Sequence, residues 1–96
     1  MKIFESPIEF EWDRGNKDKN FFKHQVTTQE AEEVFFDPHK RILKDSVYQK
    51  DEDRYLVIGV TKKDRLLFVV FTVRKSKIRI ISARSLNKKE RGLYEN

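Results

Sequence analysis

Residues 65–73 read RLLFVVFTV, and every position from Leu66 to Phe71 is apolar. Side chains alternate along a strand, so Leu67, Val69, Phe71 and Val73 leave one face while Leu66, Phe68 and Val70 leave the other. A strand apolar on both faces belongs in the middle of a sheet with both sides covered. RYLVIGV (54–60) and KIRIIS (77–82) are also rich in Val and Ile, and the short polar stretches TKKD and RKS that join the three read as hairpin turns. In a chain of 96 residues, this sheet is the core of one domain spanning residues 1–96, large enough for one modest core and too small for two.

Something must cover that sheet. IEFEW (8–12) alternates Ile8, Phe10 and Trp12 with Glu9 and Glu11, as a short edge-like strand does. A polar helix is expected from about Arg14 to His24, with Lys17, Asn20, Phe21 and His24 on one face. A second helix is better marked. Thr27 and Glu30 form a capping box, Ala31, Val34 and Phe35 make one apolar stripe, and Pro38 stops the helix. A further short strand fits Arg41–Leu43. Near the end, Asn87 and Glu90 pair as a cap for a short helix whose main apolar residues are Leu93 and Tyr94. The expected fold class is α+β: an antiparallel sheet of three to five strands, two N-terminal helices on one face and a short C-terminal helix. The second sheet face needs that last helix, or another protein.

Several function classes are excluded or disfavoured. The chain has no Cys and only two His, so disulfides and thiolate zinc sites are absent, and neither a metal nor another cofactor is expected. No apolar run approaches the roughly 20 residues that span a bilayer, and MKIFESPIEFEW is too acidic and interrupted for a signal peptide. Cytoplasmic residence without a membrane partner is the expectation. Net charge is +5, unevenly spread: residues 1–49 carry net −2 and residues 50–96 carry net +7. The basic excess lies in the strand-rich half, where it attracts polyanions, nucleic acid first among them.

Arginines carry the sharper signal. In KIRIIS, Ile78 and Ile80 suit the helix-covered face, while Lys77 and Arg79 point the other way. Arg84 lies just past the strand, and Arg54 and Arg65 begin two others. Several guanidinium groups bordering one sheet face make a planar, permanently charged phosphate receptor. The competing reading is ordinary: strand arginines are often solvated, and Arg54 or Arg65 has an acidic chain neighbour, Asp53 or Asp64, to pair with.

Taken together, these segments resemble the BrnT toxins of bacterial type II toxin–antitoxin systems over nearly the whole chain. The resemblance rests on EWD (11–13) with Asn20, Lys23, His24 and Val26, on EAEEVFFDP (30–38), on RYLVIGV and LLFVVFTVR, and on RIISAR (79–84) followed by KKER and Tyr94. One departure is Gln25, where many relatives have Gly. The resemblance implies a RelE-like fold and an endoribonuclease that arrests translation. It also implies neutralisation by a BrnA-like ribbon-helix-helix antitoxin, through which alone the complex would touch DNA.

Cleaving RNA without metal needs a base for the 2′-hydroxyl, cations for the phosphate and an acid for the leaving oxygen. On that reading Arg79 and Arg84 hold the scissile phosphate with Arg54 beside them, and Lys23 and His24 supply proton transfer or further phosphate contact where the first helix ends near the same face. Arg65, Lys77 and Tyr94 are the candidate substrate-binding residues. His24 also fits as a packed histidine at a helix end, and Tyr94 as the docking residue of the last helix. The alternative function is a non-catalytic, partner-binding protein of the same fold. A plain RNA-binding module lacks the aromatic pairs that stack bases on recognition sheets.

Overall fold

The structure, a computed structural model, describes residues 8–12, 24–44 and 54–95. Five strands form one sheet: β1 (Glu9–Trp12), β2 (Arg41–Lys44), β3 (Arg54–Val60), β4 (Leu66–Arg74) and β5 (Lys77–Ser85), in the order β1-β5-β4-β3-β2. The doubly apolar β4 takes the middle position. The expectation of an antiparallel sheet is corrected at one edge, where β1 runs parallel to β5. A hairpin forces antiparallel pairing, but most of the chain separates β1 from β5, so a crossover leaves its direction open. The sheet is therefore mixed.

Helix α1 (Thr28–Glu33) begins with the expected capping box. Thr27 Oγ1 accepts from Glu30 N–H, and the Glu30 carboxylate accepts from Thr27 N–H. It tightens into a 3₁₀ turn at Val34–Phe36 before Pro38. The first expected helix, about 14–24, falls almost wholly outside the described residues, so α1 is the helix seen between β1 and β2. Helix α2 (Arg91–Glu95) starts later than the Asn87/Glu90 pair suggests, because those two residues exchange hydrogen bonds across a turn just ahead of it.

The core lies between α1 and one sheet face. Tyr55 and Val57 of β3, Leu67, Val69, Phe71 and Val73 of β4, and Ile78, Ile80 and Ala83 of β5 meet Ala31, Val34 and Phe35 there. Phe71 centres it, edge-on to Phe35 at 5.0 Å and stacked on Tyr55 at 5.5 Å. Gly59 lets the 3₁₀ turn approach: a Cβ there would lie 3.0 Å from the Val34 carbonyl and 3.2 Å from Asp37 Oδ2.

Two features are strained. The β4–β5 loop is Lys75-Ser76 with φ of 51° and 67°, the left-handed pair that suits Asn-Gly. Changing the pair to Asn-Gly is expected to stabilise the protein by about 1 kcal/mol, read as a higher thermal midpoint with RNA cleavage unchanged. Gln25, with φ of 58°, also sits where glycine is easier, which gives the departure noted above a physical cost.

Candidate functional site

Cross-strand register shows what shares the face opposite the core. Arg54 of β3 faces Thr72 of β4, Thr72 faces Arg79 of β5, and Arg79 faces Glu11 of β1. One row thus reads Arg–Thr–Arg–Glu across four strands. The next row places Arg74, Lys77 and Glu9 side by side. Strand residues paired this way project from one face, so Arg54, Arg74, Lys77 and Arg79 make a cationic surface around Thr72.

Arg84 joins the same face for a reason alternation does not provide. Between Val70 and Phe71 the β4–β5 pairing slips: Val70 faces Ser82, while Phe71 faces Ile80, leaving Ile81 as an extra residue. Such a bulge reverses the alternation beyond it. Ala83 therefore enters the core with Ile78 and Ile80, all almost fully buried, and Ser82 and Arg84 move to the Arg79 face. Simple alternation had put Ser82 beside Ile78 and Ile80. Four residues of β4 separate the Arg79 and Arg84 rows, about 13 Å along the strand.

The arginines differ in their local commitments. The Arg84 guanidinium lies 4.4 Å from the Phe68 ring centroid and makes a two-pronged ion pair with Glu90 at 2.7 and 2.6 Å. It also donates to the Ser85 carbonyl. Arg84 hydrogen bonding holds the Glu90 carboxyl down at about 2, helped by the Asn87 amide. The same pairing raises Arg84 above the usual arginine value. Among the described residues nothing accepts from its Nε–H or from its second Nη2–H. Arg65 sits on the helix side instead. It donates to the Gln25 and His24 carbonyls and to Ser85 Oγ, and pairs with Glu30 at 3.2 Å. This clamp joins the start of β4 to the entry of α1, with Glu30 as partner rather than Asp64.

Tyr94 docks α2. Its hydroxyl donates to Asp37 Oδ2 at 2.7 Å, and the same carboxylate accepts from the Val60 and His39 amides. Burial pushes the Asp37 carboxyl up, but hydrogen bonds from Tyr94, His39 and Val60 outweigh it and leave it below the usual range. Burial, with Asp37 beside it, raises the Tyr94 phenol to about 12. Both shifts are stability statements. Asp37 and Glu90 stabilise fully above their ordinary values of 3.8 and 4.5, and that contribution is lost as pH falls through their lower folded values, for Glu90 about 2. Tyr94 contributes below 10.0 and loses its contribution as pH rises through about 12. The thermal midpoint, followed by circular dichroism, should fall between roughly pH 4.5 and 2. Glu90→Gln should flatten that fall and cost about 1–2 kcal/mol at pH 7.

Of the residues singled out in the sequence, Arg54, Lys77, Arg79 and Arg84 share one face. Arg65 is on the other, as is the His24 backbone through its carbonyl. Tyr94 is at the sheet end against Asp37, and Lys23 lies outside the described residues. Glu11, Thr72 and Asp37 were not singled out. Thr72 was visible as the one hydroxyl in an apolar run, whereas Glu11 needed the parallel placement of β1. Among the described residues no group of three or more His, Asp or Glu is placed to hold a metal ion, and no helix is long and apolar enough to cross a membrane.

Comparison with known proteins bears on these features. No curated protein matches the chain. The fold matches the 1.1 Å crystal structure of the Brucella abortus ribonuclease toxin BrnT, with a TM-score of 0.66 and 22% identity over 84% of this chain and 99% of that one. A sequence model of the family described as "Ribonuclease toxin, BrnT, of type II toxin-antitoxin system" matches residues 12–90. That match takes in α1, all of β2 to β5 and the Arg84–Glu90 pair, and the chain belongs to the BrnT family of ribonuclease toxins from type II toxin–antitoxin systems.

Proposed function

We propose that this protein is an endoribonuclease of RelE-like descent that cleaves RNA without a metal ion and so inhibits translation in the cytoplasm. The carrying observation is the bulge at Ile81, which gathers Arg79, Arg84 and Arg54 on one face of the sheet. Arg54 and Arg79 hold the scissile phosphate between them, and Arg84, rigid against Phe68 and Glu90, meets a neighbouring phosphate. Lys77 adds positive potential one row away.

In the reaction, the 2′-oxygen attacks phosphorus and the bond to the 5′-oxygen breaks. The products are a 2′,3′-cyclic phosphate and a 5′-hydroxyl. The guanidinium groups stabilise the charge that gathers on the phosphate oxygens. Glu11, at the end of the arginine row, takes the 2′-hydroxyl proton. That face is open at Glu11 and Lys77, so solvent returns a proton to the leaving oxygen. His24 is left out of this scheme because its carbonyl accepts from Arg65 on the helix side, and Lys23 is left out because it lies outside the described residues.

The partner in this reading is a BrnA-like ribbon-helix-helix antitoxin, and DNA is reached only through it. An open apolar site supports a protein partner: Phe36 is 64% exposed, beside a hollow of about 580 Å³ that Pro38, Val60 and Lys62 also line. The test is incubation of purified protein with a defined RNA in excess chelator. Fragments ending in 2′,3′-cyclic phosphate are expected. Cleavage only when metal is restored contradicts the metal-free reaction, and RNA left intact with or without metal leaves the non-catalytic, partner-binding alternative.

A further inference from the structure

Thr72 stands at the centre of the cationic row, with Arg54 on one side and Arg79 on the other. It is 3% exposed, and its Oγ1 is buried with no hydrogen-bond partner among the described residues. Folding alone does not ask for a hydroxyl here. Valine has nearly the same shape, and the neighbouring positions on this face of β4, Val70 and Phe68, are apolar. Buried hydroxyls are disfavoured when unsatisfied, so one retained between two guanidinium groups calls for a polar ligand. Arginines only donate, and a hydroxyl both donates and accepts. A phosphate oxygen only accepts, so it can take the Thr72 hydroxyl's hydrogen bond while the arginines beside it supply charge.

We infer that the Thr72 hydroxyl donates a hydrogen bond to a non-bridging phosphate oxygen of bound RNA, completing an anion site whose charge comes from Arg54 and Arg79. The inference rests on the ribonuclease reading of this row. Arg54 and Arg79 are both half-buried, and binding requires the side chains above Thr72 to give way so that a phosphate oxygen reaches its hydroxyl. Thr72 then touches substrate without adding charge. It ranks phosphates by geometry, favouring an oxygen that reaches down between the arginines.

The experiment compares Thr72→Val with Thr72→Ser in the full chain. Binding is measured by fluorescence anisotropy with a 2′-O-methyl RNA oligonucleotide, which cannot be cleaved, over a range of salt. Thr72→Val should stay folded and bind about tenfold more weakly, with an unchanged salt slope because no charge is removed. Thr72→Ser should bind like the native protein. Arg79→Ala is the control and should lower both affinity and slope. If Thr72→Val binds as the native protein does while Arg79→Ala is impaired, the hydroxyl meets only structural water and the inference is overturned, with the arginine row intact. If Arg79→Ala is also unimpaired, the ribonuclease reading of the row fails with it. Should Thr72→Val unfold, Thr72→Ser against Thr72→Ala decides, and equal binding by that pair overturns the inference.

Discussion

Replacing Arg79 by alanine is expected to lower RNA cleavage by roughly 10²–10³-fold and to leave the fold intact. On the proposed reading, the size follows from removing one donor that faces a charge growing in the transition state. The intact fold follows from position. Arg79 is half-buried on the face away from the core, while its neighbours Ile78 and Ile80 hold β5 against Phe71 and Val73. Arg79→Lys keeps the charge and loses the two-pronged geometry, so it should restore only part of the activity. The check is kcat with saturating RNA, beside a thermal melt showing a native-like midpoint. Arg65→Ala should do the reverse, lowering the midpoint more than the rate, because its donors are committed to Glu30, Ser85 and two carbonyls.

Asp37→Ala is expected to be among the most damaging changes outside the apolar core, at about 3 kcal/mol. The carboxylate is 7% exposed and accepts three hydrogen bonds, from His39 N–H, Val60 N–H and the Tyr94 hydroxyl. Losing it leaves the Val60 amide without its acceptor beside Gly59, where the 3₁₀ turn packs close. It also loosens α2, which the Arg84–Glu90 pair holds from the turn just ahead of it. For a chain of this size the thermal midpoint should drop by more than about 10 °C. Asp37→Asn should do little better, since its amide nitrogen cannot accept from Val60 or Tyr94. Tyr94→Phe removes one of the three bonds and should cost about 1 kcal/mol. Chemical unfolding of the three variants checks the order.

Much of this architecture was written in local pattern. The apolar run at 66–71 set β4 in the centre, the Thr27/Glu30 pair marked the cap of α1, the Asn87/Glu90 pair marked the turn ahead of α2, and Arg41–Leu43 became β2 with Lys44 added. Long-range register was not written there. Nothing near Glu11 says that β1 lies parallel to β5, because that neighbour is some seventy residues away and no turn links them. The bulge at Ile81 was equally hidden. A two-residue period assigns Arg79 and Arg84 to opposite faces, and only packing Ala83 into the core reverses the second assignment. The site was therefore legible as a set of arginines but not as a geometry. Arg65 shows the limit most clearly. Its sequence neighbour Asp64 suggested one partner, and the fold delivered Glu30, 35 residues away.

The most direct test follows the arginine Nε–Hε resonances of the protein by NMR while a 2′-O-methyl RNA oligonucleotide is added. The account predicts that Arg54, Arg79 and Arg84 shift together and saturate at one RNA concentration, with Arg65 unmoved. Shifts confined to Arg65 and the helix side, with Arg54 and Arg79 unchanged, would contradict it.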